Sequence, residues 1–298
     1  MQVGFLNGDI DMLDGAIKSF SVGIRRRWKT GIAQAFSIAG AIWLVTEIVT
    51  KVSTSADDWI KTQSVYYSVF VAVACILWFI AYTYETRSVS FVLPTTGTRI
   101  DVRYGDLFAQ RTDWLIGVGE FFDSDVGHVV SKDSLHGKLI NNVYNGDTTR
   151  FRSLVELALA SFKSTPTNRS IHPNLKYKIG TTAVLANGPQ KVFLVAMAHV
   201  DLETAKASSN VPVLWEALRG AFMSVHNFGN GAPLSLPLIG NGQSSVNIAP
   251  QHLLRLIVLA LVDFGRKVGL PKQVNIVVPE ACFEMLDIRE IKRDWRRQ

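Results

Sequence analysis

Apolar residues are concentrated in two segments near the N-terminus, and each is long enough to cross a lipid bilayer. Residues 32–49 read IAQAFSIAGAIWLVTEIV and contain one charged residue, Glu47, near the end. Residues 65–84 read VYYSVFVAVACILWFIAYTY and contain none. One crossing takes about 20 apolar residues, because a helix rises about 1.5 Å per residue through a hydrocarbon core of about 30 Å. The pattern therefore predicts two transmembrane helices within residues 31–85.

Two other interpretations of these segments fit less well. A pair of helices buried in a soluble core would usually carry a polar stripe, and these segments have none. A cleaved signal peptide would begin its apolar run closer to the N-terminus, and a second apolar run would not follow it.

Basic residues flank the outer ends of both segments, whereas the loop between them is balanced in charge. That loop, residues 51–64, contains two lysines and two aspartates. The flanking basic residues are Lys18, Arg25, Arg26, Arg27, Lys29, Arg87, Arg99 and Arg103. Because positive charge stays on the cytoplasmic side of a membrane, both termini are predicted to be cytoplasmic.

Residues 1–30 are predicted to form a separate amphipathic and basic segment. Met12, Ala16, Phe20 and Ile24 recur at helical spacing ahead of the basic cluster. Such a segment would lie on the membrane surface or pack on a neighbouring subunit.

From residue 98 to residue 298, strand and helix patterns alternate as in a globular domain. Strand patterns occur at 99–104, 114–118, 179–185, 192–200, 234–239 and 274–278, and helical patterns at 151–162, 214–225 and 253–262. This order predicts an α/β three-layer sandwich around a mixed sheet.

Composition and charge narrow the classes of function. Hydrophobic residues make up 48% of the 298 residues, which excludes a disordered chain. Cys75 and Cys282 have no partner at CxxC spacing, so a metal site built on cysteines is excluded. The sequence contains no run of basic residues interleaved with aromatic residues, so nucleic-acid binding is not indicated. The chain has a net charge of +6, most of it in the globular part, and a mildly basic domain suits a small anionic ligand or a lipid surface nearby.

The glycine-rich stretch at 240–245 is a candidate phosphate-binding loop. It reads Gly240-Asn241-Gly242-Gln243-Ser244-Ser245 and joins a predicted strand to a predicted helix. Glycines after a strand let backbone N–H groups approach phosphates, and the start of the next helix adds positive potential. The stretch is neither GxGxxG nor a P-loop, and a tight connection without a ligand is the alternative.

Two further stretches carry candidate polar chemistry. Asp106, in Gly105-Asp106-Leu107-Phe108, follows a strand and would accept a hydrogen bond from an exocyclic amine, or else cap the next turn. Phe122-Asp123 and Ser134-Leu135-His136-Gly137 combine acid, hydroxyl and imidazole groups. No GxSxG elbow surrounds Ser134, and His136 has no HExxH partner, so neither a serine hydrolase nor a metal site is indicated.

Together these pieces resemble the macro domain, a fold that binds ADP-ribose, over nearly all of residues 98–285. The resemblance implies no metal and no cofactor, and an ADP-ribose derivative as ligand. It assigns adenine recognition to Asp106 and the diphosphate to the backbone of 240–245. The resemblance implies the following ligand-binding residues: Asp106, Leu107, Phe108, Phe122, Asp123, Ser134, His136, Gly137, Gly240, Asn241, Gly242, Gln243, Ser244 and Ser245.

A two-helix hairpin followed by a macro domain with FDSDVG and DSLHGKLI resembles, more narrowly, the membrane-anchored effectors of type II Thoeris antiphage defence. The resemblance implies a protein of the bacterial inner membrane with a cytoplasmic macro domain. It also implies a nucleotide signal, histidine-linked ADP-ribose, which a partner TIR-domain enzyme makes from NAD. Binding would rearrange a homo-oligomer of the spans, disrupt the lipid membrane and kill the infected cell.

One departure from the macro-domain pattern bears on catalysis. Hydrolytic macro domains carry an Asn-Ala-Ala-Asn-like segment where this chain reads Gly117-Val118-Gly119-Glu120. We therefore expect a binding protein with no catalytic residue. Glu120 or Asp123 could substitute, so a membrane-anchored ADP-ribosyl hydrolase is one alternative. A scaffold that reads ADP-ribosylated partners is the other.

Overall fold

The computed structural model describes residues 3–242 and 246–296, and it divides into two units, Met1–Arg87 and Ser88–Gln298. In the first unit the described residues form the helices α1 (Val3–Val52), α2 (Thr54–Thr62) and α3 (Ser64–Thr83). The predicted spans therefore lie in α1 and α3. The part of α1 from Asp14 to Val52 and the whole of α3 are each long and apolar enough to cross a membrane. The most apolar 18 residues of each are not buried against other parts of the protein.

The predicted N-terminal segment, residues 1–30, is not a separate element of secondary structure where the structure describes it. Residues 3–30 continue without a break into the first apolar segment as one helix, α1. The helix continues because this stretch contains no proline, the residue that would break it. A glycine such as Gly31 lowers helix stability but does not by itself end a helix.

Helices α1 and α3 contact each other closely. A Cβ atom on Gly31 would lie 2.9 Å from Phe79 Cε2, so any larger residue would require neighbouring side chains to shift. Cys75 Sγ donates a hydrogen bond to the Ala35 carbonyl at 3.5 Å, and the hydroxyls of Thr46 and Tyr67 are 2.7 Å apart. The two apolar segments therefore form the predicted hairpin.

The second unit is built on a mixed sheet. The strands of this unit in the described ranges are β1 (Ser88–Val92), β2 (Arg99–Tyr104), β3 (Asp113–Gly119), β4 (Ser164–Pro166), β5 (Leu175–Tyr177), β6 (Thr182–Asn187), β7 (Gln190–Val200), β8 (Ala207–Ser208), β9 (Leu234–Pro237) and β10 (Gln273–Val278). The order across the main sheet is β1-β2-β10-β9-β3-β7-β6. The strands β2, β10, β9, β3 and β7 are mutually parallel, while β1 and β6 are antiparallel to their neighbours.

The short strands β4, β5 and β8 complete the topology. Strand β1 places the start of the sheet domain earlier than the sequence predicted. Strand β8 pairs with the end of β7, and β4 pairs with β5 in a separate ribbon. Because β1 pairs with β2, the sheet begins at Ser88, upstream of the boundary predicted at residue 98.

Helices cover both faces of the sheet. They are α4 (Leu135–Lys138), which leads into a π-helical turn at Leu139–Val143, α5 (Thr148–Leu159), α6 (Val211–Phe228), α7 (Pro250–Val268) and α8 (Ile288–Arg296), with a 3-10 turn at Glu280–Cys282. Trp114, Ile116 and Val118 of β3 share a core with Phe151 of α5, while α6 packs on β7 and on α7. The predicted three-layer α/β architecture is confirmed.

Candidate functional site

A cavity of about 640 Å³ lies at the carboxyl ends of the parallel strands. Its wall contains residues that follow β2 (105–107), end β3 (117–119), follow β9 (238–242) and follow β10 (279–280), together with Met197 and Val200 of β7. In open α/β sheets the crevice outside these strand ends is the usual place for a ligand. The topology therefore brings residues from separate parts of the chain to one site.

Most of the predicted site residues meet at this cavity. Those that line it are Asp106, Leu107, Asp123, Ser134, His136, Gly240, Asn241 and Gly242. Phe108, Phe122 and Gly137 do not line it. The ring of Phe108 packs edge-on against Trp114, and that of Phe122 packs against Tyr177. Gln243, Ser244 and Ser245 lie outside the described residues.

The loop after β2 holds Asp106 at the exposed side of the cavity. The Gly105 N–H donates to the Val278 carbonyl at 3.0 Å, which ties the loop to β10. Gly105 has a φ of 150°, a conformation that suits glycine. Asp106 Oδ1 accepts a hydrogen bond from the Phe108 N–H at 3.1 Å. The turn thereby orients the carboxylate, so the capping role weighed from the sequence is present alongside the position on the cavity wall.

The loop after β9 is fixed around Gly240. The Gly240 carbonyl accepts a hydrogen bond from the Val246 N–H at 3.0 Å, and its φ is 91°. A Cβ atom there would lie 3.0 Å from Val246 and 3.3 Å from Leu214, so the loop folds tightly over the core. Asn241 Nδ2 donates to Cys282 Sγ at 3.4 Å. The backbone of this loop is therefore held in place against the cavity.

The end of β3 makes an apolar floor that the sequence analysis missed. A Cβ atom on Gly117 would lie 1.8 Å from Met197 Sδ, and one on Gly119 would lie 2.8 Å from Val200 Cγ2. The register between β3 and β7 also shifts at Val118/Gly119, a type of irregularity common beside functional sites. Two glycines at the spacing that places them on one face of a strand are a signal that could have revealed this close packing.

Glu120 does not line the cavity. Its buried carboxylate contacts Lys176 Nζ at 3.1 Å and His199 Nδ1 at 2.9 Å, and it accepts the Val200 N–H at 3.1 Å. Of the two acids considered as substitutes for hydrolytic side chains, this one holds together β3, β5 and β7.

Asp123 does line the cavity, and an arginine from a distant segment binds it. Phe122 adopts a φ of 52°, which turns the chain just before Asp123. Asp123 Oδ1 and Oδ2 accept hydrogen bonds from Arg169 Nη1 at 2.6 Å and Nη2 at 3.3 Å. Burial raises the pKa of Asp123, and the Arg169 guanidinium opposes that rise. The sequence offered no signal for Arg169, which lies outside every strand and helix.

Ser134 and Gly137 form the start of α4. Ser134 Oγ accepts the Gly137 N–H at 3.0 Å and donates to the Ser131 carbonyl at 2.7 Å, so its proton points to the backbone. A Cβ atom on Gly137 would lie 2.2 Å from the Ser131 carbonyl oxygen. This arrangement is a helix cap. It gives the Ser134 hydroxyl no general base.

His136 is buried and uncharged at neutral pH. Burial lowers the pKa of its imidazole to about 4. Its Nε2 has no hydrogen-bond partner among the residues that the structure describes. The ring packs near Phe151, with centroids 5.7 Å apart. His136 therefore presents a neutral ring at the cavity wall. In the described ranges no three His, Cys, Asp or Glu side chains cluster as metal ligands.

A mixed sheet with five parallel central strands, helices on both faces and a cavity at the strand ends define a domain of the macro class. The family model described as "Thoeris protein ThsA, Macro domain" matches residues 100–279. The chain therefore belongs to this family and is a component of a Thoeris system, which confirms the resemblance found in the sequence.

Solved structures with a similar fold include macrodomains of Oceanobacillus iheyensis. A mutant of that macrodomain has 10% identity and a TM-score of 0.49, and covers 71% of this chain and 95% of its own. The macrodomain with ADP has 11% identity and a TM-score of 0.46, with coverages of 71% and 98%. A second mutant, with ADPR, has 12% identity and a TM-score of 0.41, with coverages of 70% and 99%. Comparison with curated proteins gave no significant match.

Proposed function

We propose that this protein is a membrane-anchored effector of antiphage defence whose cytoplasmic macro domain binds an ADP-ribose-derived signal. The observation that carries the proposal is the cavity at the carboxyl ends of the parallel strands in a Thoeris family member. Its volume of about 640 Å³ lies within the range of about 300–1,000 Å³ that small-molecule sites occupy.

The arrangement of the cavity suits the parts of an ADP-ribose ligand. The loops after β2 and β9 flank β10, and they carry Asp106 and the Gly240–Gly242 backbone. In our proposal Asp106 accepts the adenine amine and the glycine-rich loop holds the diphosphate. The distal ribose and its substituent then lie towards Asp123, Ser134 and His136.

The signal in this proposal is histidine-ADP-ribose, which a partner TIR-domain protein makes from NAD. Binding shifts a homo-oligomer between two arrangements of the membrane helices α1 and α3 and disrupts the inner membrane, which leads to abortive infection. A ligand must favour one arrangement by about 5.5 kcal/mol to move it from 1% to 99% of the population. Both termini and the macro domain lie on the cytoplasmic side.

Calorimetric titration of the full-length protein in detergent micelles tests the binding step. The titrants are ADP-ribose and its histidine adduct, and the variants are Asp106→Ala and, as control, Asp263→Ala on the exposed face of α7. We expect tight binding of the adduct, weaker binding of ADP-ribose, and loss of both only in Asp106→Ala. Absence of binding of either nucleotide to the unaltered protein would refute the proposal.

A dye-release assay tests the membrane step. The full-length protein in vesicles should release dye on addition of the adduct and retain it on addition of ADP-ribose alone. Binding without dye release would support the scaffold alternative instead.

One observation favours a second function, ADP-ribosyl hydrolysis. Asp123 is a buried acid at the cavity with a raised pKa, as a catalytic acid would be. Two features argue against hydrolysis. Glu120 is held in ion pairs and does not line the cavity, and Met197 and Val200 make its floor apolar. We therefore propose a binding protein without turnover. Release of free ADP-ribose from a modified substrate, abolished by Asp123→Asn, would establish the hydrolase instead.

A further inference from the structure

Arg169 binds a residue of the cavity wall, Asp123, from a segment of the chain that no sequence pattern indicated. Its guanidinium makes a two-pronged contact with the Asp123 carboxylate, and its side chain is fully buried. Asp123 is itself on the cavity wall. A buried arginine paired with an acid at a binding site is costly to maintain, because both charges lose their hydration. The pair therefore calls for a functional reason.

The guanidinium is fixed from several sides. Its Nη1 also donates to the Pro173 carbonyl at 3.2 Å, and its Cζ lies 4.4 Å from the centre of the Phe121 ring. The segment between β4 and β5 that carries Arg169 is closed by Thr167, whose N–H and hydroxyl donate to the Asn174 carbonyl at 3.0 and 2.8 Å. Arg169 therefore has one orientation, and it imposes one orientation on Asp123.

We propose that Arg169 is a positioning residue for ligand recognition, which holds the Asp123 carboxylate ionised and oriented so that it accepts hydrogen bonds from ligand hydroxyls. The hydroxyl donors are those of a ribose diol. This inference rests on the proposed function and names the group that Asp123 recognises.

The chemistry of the pair favours hydroxyls over an ammonium group. Each oxygen of a carboxylate has two acceptor sites, and Arg169 fills one on each oxygen, which leaves sites for further donors. Since the guanidinium neutralises the carboxylate, a second cation gains little from binding there. In this inference Asp123 therefore binds ribose hydroxyls and not the amine of a histidine adduct.

The charge state of Asp123 depends on its neighbours. Burial raises the pKa of Asp123, and Arg169 lowers it more than any other residue. Asp125 adds to the rise and Arg152 opposes it. His136, on the same cavity wall, is neutral above its pKa of about 4. Without Arg169 the carboxyl would stay protonated to higher pH, and its O–H would then be a donor where the carboxylate has only acceptor sites.

The test is titration of the full-length protein in detergent with ADP-ribose across about pH 5 to 8, because the inference links affinity to the charge of Asp123. The variants are Arg169→Gln, Arg169→Lys and Asp123→Asn. The control is Arg219→Gln, which removes another two-pronged arginine–carboxylate pair, with Glu216, on the exposed face of α6. Melting temperatures establish that each variant is folded.

We expect Arg169→Gln to bind about tenfold more weakly near neutral pH, the value of one charged hydrogen bond, and to recover as the pH rises. Arg169→Lys keeps the charge but not the fork, so its affinity should be intermediate with a smaller dependence on pH. Asp123→Asn should be weaker at every pH, without recovery. Arg219→Gln should match the unaltered protein.

Three outcomes would overturn the inference. Arg169→Gln with unchanged affinity and pH profile means that Arg169 does not act on the ligand. Equal weakening at every pH, in a folded variant, means a merely structural role. In both cases the unaltered protein still binds, so the proposed function stands. Absence of binding by the unaltered protein instead defeats both. Should Arg169→Gln not fold, the intermediate affinity of Arg169→Lys decides.

Discussion

The two units of this chain treat apolar side chains in opposite ways. In the second unit Leu218 and Phe222 of α6 have no exposed surface, whereas in the first unit Leu77 of α3 and Trp43 of α1 are 61% and 67% exposed. The sheet domain buries its apolar surface against itself, which is the main favourable term in folding in water. The helical hairpin leaves its apolar side chains exposed, and we propose that the lipid bilayer covers them.

The contacts that hold each unit together differ accordingly. Helices α1 and α3 meet where glycine lets the backbones approach, since a Cβ atom on Gly23 would lie 1.8 Å from the Thr83 carbonyl oxygen. The sheet domain instead relies on a close-packed core of side chains and encloses charged groups such as Asp123 and Arg169. Hydrophobicity alone therefore does not tell how a segment is stabilised.

Truncating a matched pair of leucines should give the largest difference between the units. Leu218→Ala should destabilise the sheet domain by about 2–5 kcal/mol, because it leaves a cavity in the core. Leu77→Ala should change stability by less than about 0.5 kcal/mol in detergent, because most of the side chain is exposed and little of it packs on protein. Chemical denaturation of both full-length variants measures the two values. Equal losses would mean that α3 is buried in a protein core.

Buried polar groups should give the sheet domain a pH dependence that comes from His136. Its pKa is about 4 when folded and about 6.5 when unfolded, so the unfolded chain binds more protons between these values. Stability should therefore fall by about 3 kcal/mol as the pH drops from about 6.5 to 4, at about 1.4 kcal/mol per pKa unit. Thermal unfolding across this range measures the slope.

The control separates His136 from the other titrating groups. His136→Gln should lose this contribution, whereas His128→Gln, which removes an exposed imidazole, should keep it. Asp123 works in the opposite direction because its pKa is raised, so the informative quantity is the difference from the unaltered protein. A slope that survives in His136→Gln would contradict the assignment.

Substitution of glycines should expose the backbone packing of the hairpin. Gly23→Ala should weaken the contact of α1 with α3 by about 1–3 kcal/mol, since the added methyl meets backbone. Gly40→Ala should be neutral or slightly stabilising, because no atom lies within 4 Å of the new Cβ and alanine favours helix. The rate of disulfide formation between Cys75 and a cysteine at Ala35 reports the contact. Similar rates in both variants would exclude this packing.

Removing an exposed ion pair should have the smallest effect on stability, and this effect should be similar in the two units. Arg219 with Glu216 on α6, and Lys51 with Glu47 on α1, are both exposed pairs one helical turn apart. Arg219→Gln should cost about 0.2–1 kcal/mol and Glu47→Gln no more than that variant, and salt should reduce both losses further. Denaturation at low and high ionic strength measures both. A larger cost for one pair would reveal a contact that burial alone does not predict.

Much of the secondary structure could be predicted because its signals are local. The apolar runs at 32–49 and 65–84 lie in helices, and the alternation at 99–104 and the β-branched run at 274–278 lie in strands. Periodicity did not show that the amphipathic pattern of residues 3–30 and the apolar pattern after it join in one helix. It also missed β1, because a short edge strand carries little pattern of its own.

The candidate site divides in the same way. Asp106 and Gly240–Gly242 stand beside strand ends in the sequence, so their position at one edge of the sheet followed from the strand pattern. The sequence by itself thus determined the membrane-compatible hairpin, the macro fold and the two loops of the cavity. Only the tertiary structure decided that Met197 and Val200 form the floor, that Glu120 joins Lys176 and His199, and that Arg169 binds Asp123. Those contacts join residues far apart in the chain. Their distances depend on strand order and loop path, which leave no periodic trace in the sequence.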